Sequence, residues 1–115
     1  MTKITKYILT FLIIPFSFSQ DPESLFSIGE SQLSSGLILE AEQSFNDALS
    51  ADPSFAPALQ GLSKLSLHKG DLKKANEYAI QAVQADEDFR EWSTKIGKIS
   101  EHIQNGIYKK KKKYF

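Results

Sequence analysis

Few side chains in this chain of 115 residues are spaced for chemistry. His68 and His102 stand thirty-four positions apart, with Glu101 beside the second, and come nearest to a set of metal ligands. A bridge between them is conceivable, but two imidazoles with no short-range ligand spacing are weak evidence for zinc, and solvated surface histidines are the better reading. Seven carboxylates (Asp21, Glu23, Glu30, Glu40, Glu42, Asp47, Asp52) fall between Gln20 and Phe55, where there is no Lys or Arg. They do not form the twelve-residue ligand loop of a calcium site and read as a soluble helix face. The absence of cysteine removes disulfides, thiolate nucleophiles and thiolate metal sites together. No glycine-rich phosphate loop or nucleophile elbow occurs. The expectation is therefore no catalytic residue, no cofactor, no metal and no enzyme.

Charge is lopsided rather than absent. Fourteen basic and fourteen acidic residues cancel, yet Lys109 to Lys113 puts five positive charges in one run, framed by Tyr108, Tyr114 and Phe115. This basic tail, residues 107–115, reads first as a solvated terminus. Lipid or polysaccharide contact, nucleic-acid contact, and the accidental end of a shortened gene are the alternatives. Seven positive against fourteen negative charges from Gln20 to Tyr108 disfavour nucleic acid.

The first twenty residues have a different composition. Lys3 and Lys6 precede an uncharged run from Tyr7, and Ser17-Phe18-Ser19 offers small residues at the two positions a signal peptidase inspects. The expectation is a signal peptide over 1–19, cut between Ser19 and Gln20, with membrane contact only during export. A retained anchor is the competing reading. Fourteen residues from Tyr7 to Gln20 would span about 21 Å as a helix against roughly 30 Å of hydrocarbon.

The elements that must position any site come from an internal repeat. Leu25–Phe55 returns thirty-four residues later as Leu59–Phe89, with eight identities in thirty-one positions: Leu25/Leu59, Leu33/Leu67, Gly36/Gly70, Ala41/Ala75, Ala48/Ala82, Ala51/Ala85, Asp52/Asp86 and Phe55/Phe89. Chance would give roughly two. Asp21-Pro22-Glu23 starts a helix with Leu25, Ile28, Gly29 and Leu33 on one face, and Gly36 suits the left-handed turn after it. Ile38, Ala41, Phe45, Ala48 and Leu49 make the inner face of a second helix, ended by Asp52-Pro53. The second copy repeats this with Leu59, Leu62, Ser63, Ser66 and Leu67, then Gly70, then Leu72, Ala75, Ala79, Ala82 and Val83.

Leu25, Ile28, Gly29 and Gln32, followed by Ala41, Phe45, Ala48 and Pro53, resemble the tetratricopeptide repeat pattern. Gln32 and Ser66 depart from it, since the family usually carries an aromatic there. The resemblance implies an all-α, right-handed helical-hairpin stack with about five helices: a TPR-like domain over 20–106, with repeat one at about 22–55, repeat two at about 56–89 and a capping helix at about 90–104 stopped by Asn105-Gly106. Leu25, Ile28, Gly29, Ala41, Phe45, Ala48, Pro53, Leu59, Leu62, Ala75, Ala82 and Trp92 are its expected packing residues, with Trp92 largely buried.

In such stacks the first helix of each pair lines a concave groove that takes a peptide or a partner helix. On that carry-over the groove candidates are Glu23, Phe26 and Glu30, then Gln60, Lys64 and His68, then Thr94, Lys98 and His102. Family members that hold a terminal carboxylate use a lysine and an asparagine where Phe26 and Glu30 stand here, so a basic or mixed partner is expected. The resulting expectation is an exported, periplasmic or secreted, non-enzymatic module binding a protein or peptide, with self-association through exposed Leu37 and Leu39 left open. A truncated front end of a longer repeat protein and a membrane-surface protein are the alternatives.

Overall fold

Asp21 begins the first helix by accepting from the Ser24 backbone N–H at 2.8 Å and from its hydroxyl at 2.8 Å. These bonds favour the carboxylate and hold its pKa below the usual aspartate value. In this computed structural model residues 20–114 are described, with side chains through 106. Residues 1–19, expected to be a signal peptide ending at Ser19, and the lysine side chains of 109–113 lie outside what is described.

Helix α1 runs Pro22–Ser34 and α2 runs Ile38–Ala51; α3 runs Ala56–His68 and α4 runs Leu72–Ala85; a short 3-10 turn at Glu87–Phe89 leads into α5, Arg90–Tyr114. Among the described residues all regular structure is helical. The architecture is an all-α stack of helical hairpins.

The two hairpin turns share one geometry. Gly36 and Gly70 have φ of +78° and +76°, a region a Cβ makes costly. At each the next residue's N–H reaches back to a carbonyl five residues earlier, Leu37 to Gln32 at 2.9 Å and Asp71 to Ser66 at 2.9 Å. Each turn thus ends its helix with a Schellman motif. The equivalent position on α5 is Gln104, and the helix does not stop there. Nor do Asn105-Gly106 stop it, contrary to the sequence reading: α5 continues to Tyr114. Without a glycine in register, a left-handed turn at Gln104 would cost about 1–2 kcal/mol, whereas a glycine two positions late is merely tolerated inside a helix.

Phe45 is the centre of the core and is fully buried. Its ring lies where a Cβ at Gly29 or at Gly61 would be, 2.5 Å and 2.7 Å from those points. Two helix-interior glycines, one on each neighbouring first helix, make room for one aromatic. Ala41, Ala48, Ala75, Ala79 and Ala82 are also fully buried, and Leu25, Leu59 and Leu62 nearly so. Where the family's aromatics are missing, polar and neighbouring groups fill in. Ser44 donates to the Gln32 side-chain oxygen at 2.6 Å, Ser66 donates to the Leu62 carbonyl at 2.8 Å, and Tyr78 packs against the Phe45 cluster. Among the described residues no buried side-chain polar atom lacks a hydrogen-bond partner.

Three packing expectations are corrected. Ile28 is 44 % exposed, although its equivalents Leu62 and Ile96 are 2 % and 0 %. That position faces the preceding repeat, and no described residue covers it at Ile28. Pro53 is exposed; it follows the end of α2 rather than packing. Trp92 is half-buried, because one side of its ring borders open cavities.

Candidate partner-binding groove

Lys64 organises the side of the stack lined by α1, α3 and α5. Its ammonium lies 3.3 Å from Glu30 on α1 and 6.0 Å from the centre of the Trp92 ring on α5. Both partners of the ion pair are about one-third exposed, so the pair contributes little to stability and serves mainly to place charge. Lys95 lies 5.9 Å from the same ring. Two cations within reach of one indole are within the range of cation–π attraction.

The Trp92 ring is held rather than free. Its indole N–H donates to the Ser63 hydroxyl at 3.1 Å, and Ser63 in turn donates to the Ala75 carbonyl at 2.8 Å. Ser63 stands where repeat one has Gly29, so a small polar residue on α3 ties α4 and α5 together.

Around this ring are two hollows. Leu33, Lys64, Leu67, His68 and Trp92 surround one of about 340 Å³, and Gln60, Asp88, Phe89, Glu91, Trp92 and Lys95 surround another of about 260 Å³. The first draws on all three first helices, with an apolar floor of Leu33, Leu67 and Trp92 and cationic or titratable groups from Lys64 and His68.

The structure brings Glu30, Lys64 and His68 of the expected groove residues to this hollow or its edge, and Gln60 to the neighbouring one. Phe26 turns elsewhere, its ring 5.9 Å from Phe45 and 6.0 Å from Phe55, and it is half-buried in the core. Glu23 is exposed on the first turn of α1. Thr94 spends its hydroxyl on the Arg90 carbonyl. Lys98 lines a shallow hollow of about 530 Å³ with Arg90, Glu91, Thr94 and Lys95, all from one helix. His102 is exposed farther along. The residues missed from sequence are Leu33, Leu67 and Trp92 as groove floor. Leu33 and Leu67 were visible as an identity between the two copies, but helical periodicity assigned them to packing. Among the described residues no group of three or more His, Cys, Asp and Glu side chains could hold a metal.

The family model of the tetratricopeptide repeat matches residues 22–55. Residues 22–55 are thus a tetratricopeptide repeat. The chain is 40% identical over 58 residues to cellulose synthase 1 operon protein C of Komagataeibacter xylinus. It is 38% identical over 58 residues to cellulose synthase operon protein C of the same organism and of Komagataeibacter sucrofermentans. In each case the match covers 50% of this chain and 4% of the relative. The shared part is thus a small segment of much longer proteins. Tetratricopeptide repeats generally build surfaces for binding other proteins.

Proposed function

We propose that this tetratricopeptide repeat chain is an exported, non-enzymatic adaptor that holds a peptide of mixed charge in the groove of α1, α3 and α5. The observation that carries the reading is the hollow walled by Leu33, Lys64, Leu67, His68 and Trp92. Its floor suits one large apolar side chain, Lys64 and His68 suit a carboxylate beside it, and Glu30 suits a basic residue one step farther along. Export is supported by the basic-then-apolar composition of 1–19, and no described helix is long and apolar enough to cross a membrane. The likeness to cellulose synthase operon proteins covers a short segment, so the proposal takes from it an interaction architecture and no role in cellulose synthesis.

Selection of a random peptide library on the purified chain tests the groove. Enrichment of an apolar residue next to an acidic one, lost on Lys64→Glu and on Trp92→Ala, is the expected result. No enrichment, or enrichment indifferent to both changes, overturns it. N-terminal sequencing of exported protein tests the other half: a first residue of Gln20 is expected, and material beginning at Met1 is incompatible with cleavage.

A further inference from the structure

We infer that Glu30 decides which charges the groove admits: it cancels Lys64 while the groove is empty, so that a segment carrying an acidic and a basic residue side by side is favoured over a singly charged one. This rests on the reading that the groove takes a peptide. The walls of the hollow, Leu33, Lys64, Leu67, His68 and Trp92, include no carboxylate and by themselves would draw in any anion. Glu30 meets that charge from the edge, on the neighbouring helix α1. The Lys64 ammonium lies 3.3 Å and 3.4 Å from its two carboxylate oxygens, which thus hold the place that a ligand's carboxylate would take. Positions 30, 64 and 98 are equivalent in the three first helices, and Lys98 offers Lys64 no second partner. Among the described residues Glu30 is the one carboxylate in an ion pair with Lys64.

The pair is close enough to mask Lys64 and weak enough to open. Both side chains are about one-third exposed, and an ion pair so exposed is worth no more than about fivefold in an equilibrium constant. An acidic ligand that takes Lys64 breaks the pair, leaves Glu30 without a partner and sets two carboxylates beside one ammonium. A basic ligand that takes Glu30 does the converse to Lys64. Either gains one ion pair and loses one. A ligand with both charges makes two pairs for the one it breaks, its acid with Lys64 and its base with Glu30. Trp92 eases the exchange: its ring centre is 6.0 Å from the ammonium and its indole N–H is anchored on Ser63, so Lys64 keeps an aromatic partner while it changes carboxylates.

Quenching of Trp92, the one tryptophan of the chain, tests the masking without any peptide. At fixed ionic strength the ratio of iodide to acrylamide quenching is expected to rise by roughly 1.5-fold in Glu30→Gln, to fall in Lys64→Gln and to return near the wild-type value in the double variant. A ratio that Glu30→Gln leaves unchanged overturns the inference, whether or not the groove binds peptides. Far-UV circular dichroism checks that helix content is kept, and Glu30→Ala replaces Glu30→Gln if it is not. Selection from a random peptide library tests the choice of ligand. On the wild type a basic residue is expected beside the acidic one. On Glu30→Gln the basic residue loses its enrichment, and peptides with the acidic residue alone bind up to about fivefold more tightly than they bind the wild type. Acid-only peptides that bind Glu30→Gln no better than the wild type overturn the inference and leave the groove in place. No enrichment on either protein overturns the groove reading and the inference together.

Discussion

The ring of Phe45 occupies the space beside Gly29, with two of its carbons 2.5 Å and 2.6 Å from where a Cβ would stand. Real Cβ contacts do not come that close, and Phe45 has little room to retreat because on its other side it lies against Gly61, where a Cβ would stand only 2.7 Å from the ring. Replacing Gly29 by Ala gains about 1 kcal/mol of helix propensity and costs about 1–3 kcal/mol of overpacking. With ring atoms on two sides the cost lies at the upper end. Gly29→Ala is therefore expected to lower unfolding stability by about 1–2 kcal/mol, while Gly97→Ala, with nothing within 4 Å, raises it by up to about 1 kcal/mol. Urea melts of the two variants check this; the same sign for both would refute the packing account.

Ser63 is the hinge pin between α3, α4 and α5. Ser63→Ala removes the acceptor of the Trp92 indole N–H and the donor to the Ala75 carbonyl. A loss of about 1 kcal/mol is expected, together with a red shift of tryptophan emission as the half-buried ring loosens. The chain has one tryptophan, so the signal is unambiguous. An unchanged emission maximum would mean the bond does not hold the ring.

The depressed pKa of Asp21 sets a pH dependence. Because the bonds from Ser24 favour the carboxylate in the folded chain, its contribution is complete above the unfolded pKa. It is lost as pH falls below about 4 and through the folded value. The stability difference between wild type and Asp21→Ala is expected to be present at pH 7 and to shrink towards pH 2. A difference that stays constant across that range would show that the cap does not depend on charge.

Gln104→Gly would restore the missing glycine in register with Gly36 and Gly70. The helix is then expected to break near that point, lowering the helical signal of the intact chain while leaving tryptophan emission unchanged, since Trp92 lies three turns earlier. Equal helical signal in both proteins would show that the register of the glycine does not decide where α5 ends.

The repeat was legible because the thirty-four-residue period puts alanines where helices touch and glycines where chains turn; Ala41, Ala48, Ala75 and Ala82 are all fully buried. Periodicity fails where a residue's surroundings depend on what lies beyond the repeat. Ile28 carries the same pattern as Leu62 and differs in that no described residue covers it. Asn105-Gly106 looks like a stop when read as a dipeptide, but the hairpin turn requires its glycine at one register position, which Gln104 holds. The groove was half legible. Its outward charges Glu30 and Lys64 could be placed from helical spacing, while the floor depended on how three helices converge, and that convergence puts Leu33 and Leu67 beside Trp92.

One aromatic between two glycines also bears on the order in which the chain can acquire its shape. The first hairpin is complete as soon as α2 has left the ribosome, and its contacts are short in sequence, the kind that form quickly. Yet Phe45 has only one of its two walls until Gly61 has also left the ribosome. A chain caught between those moments would show its largest fully buried side chain to solvent, so a pause in translation with α2 outside the ribosome and α3 still within it is where this protein would be most exposed to proteases and to sticking.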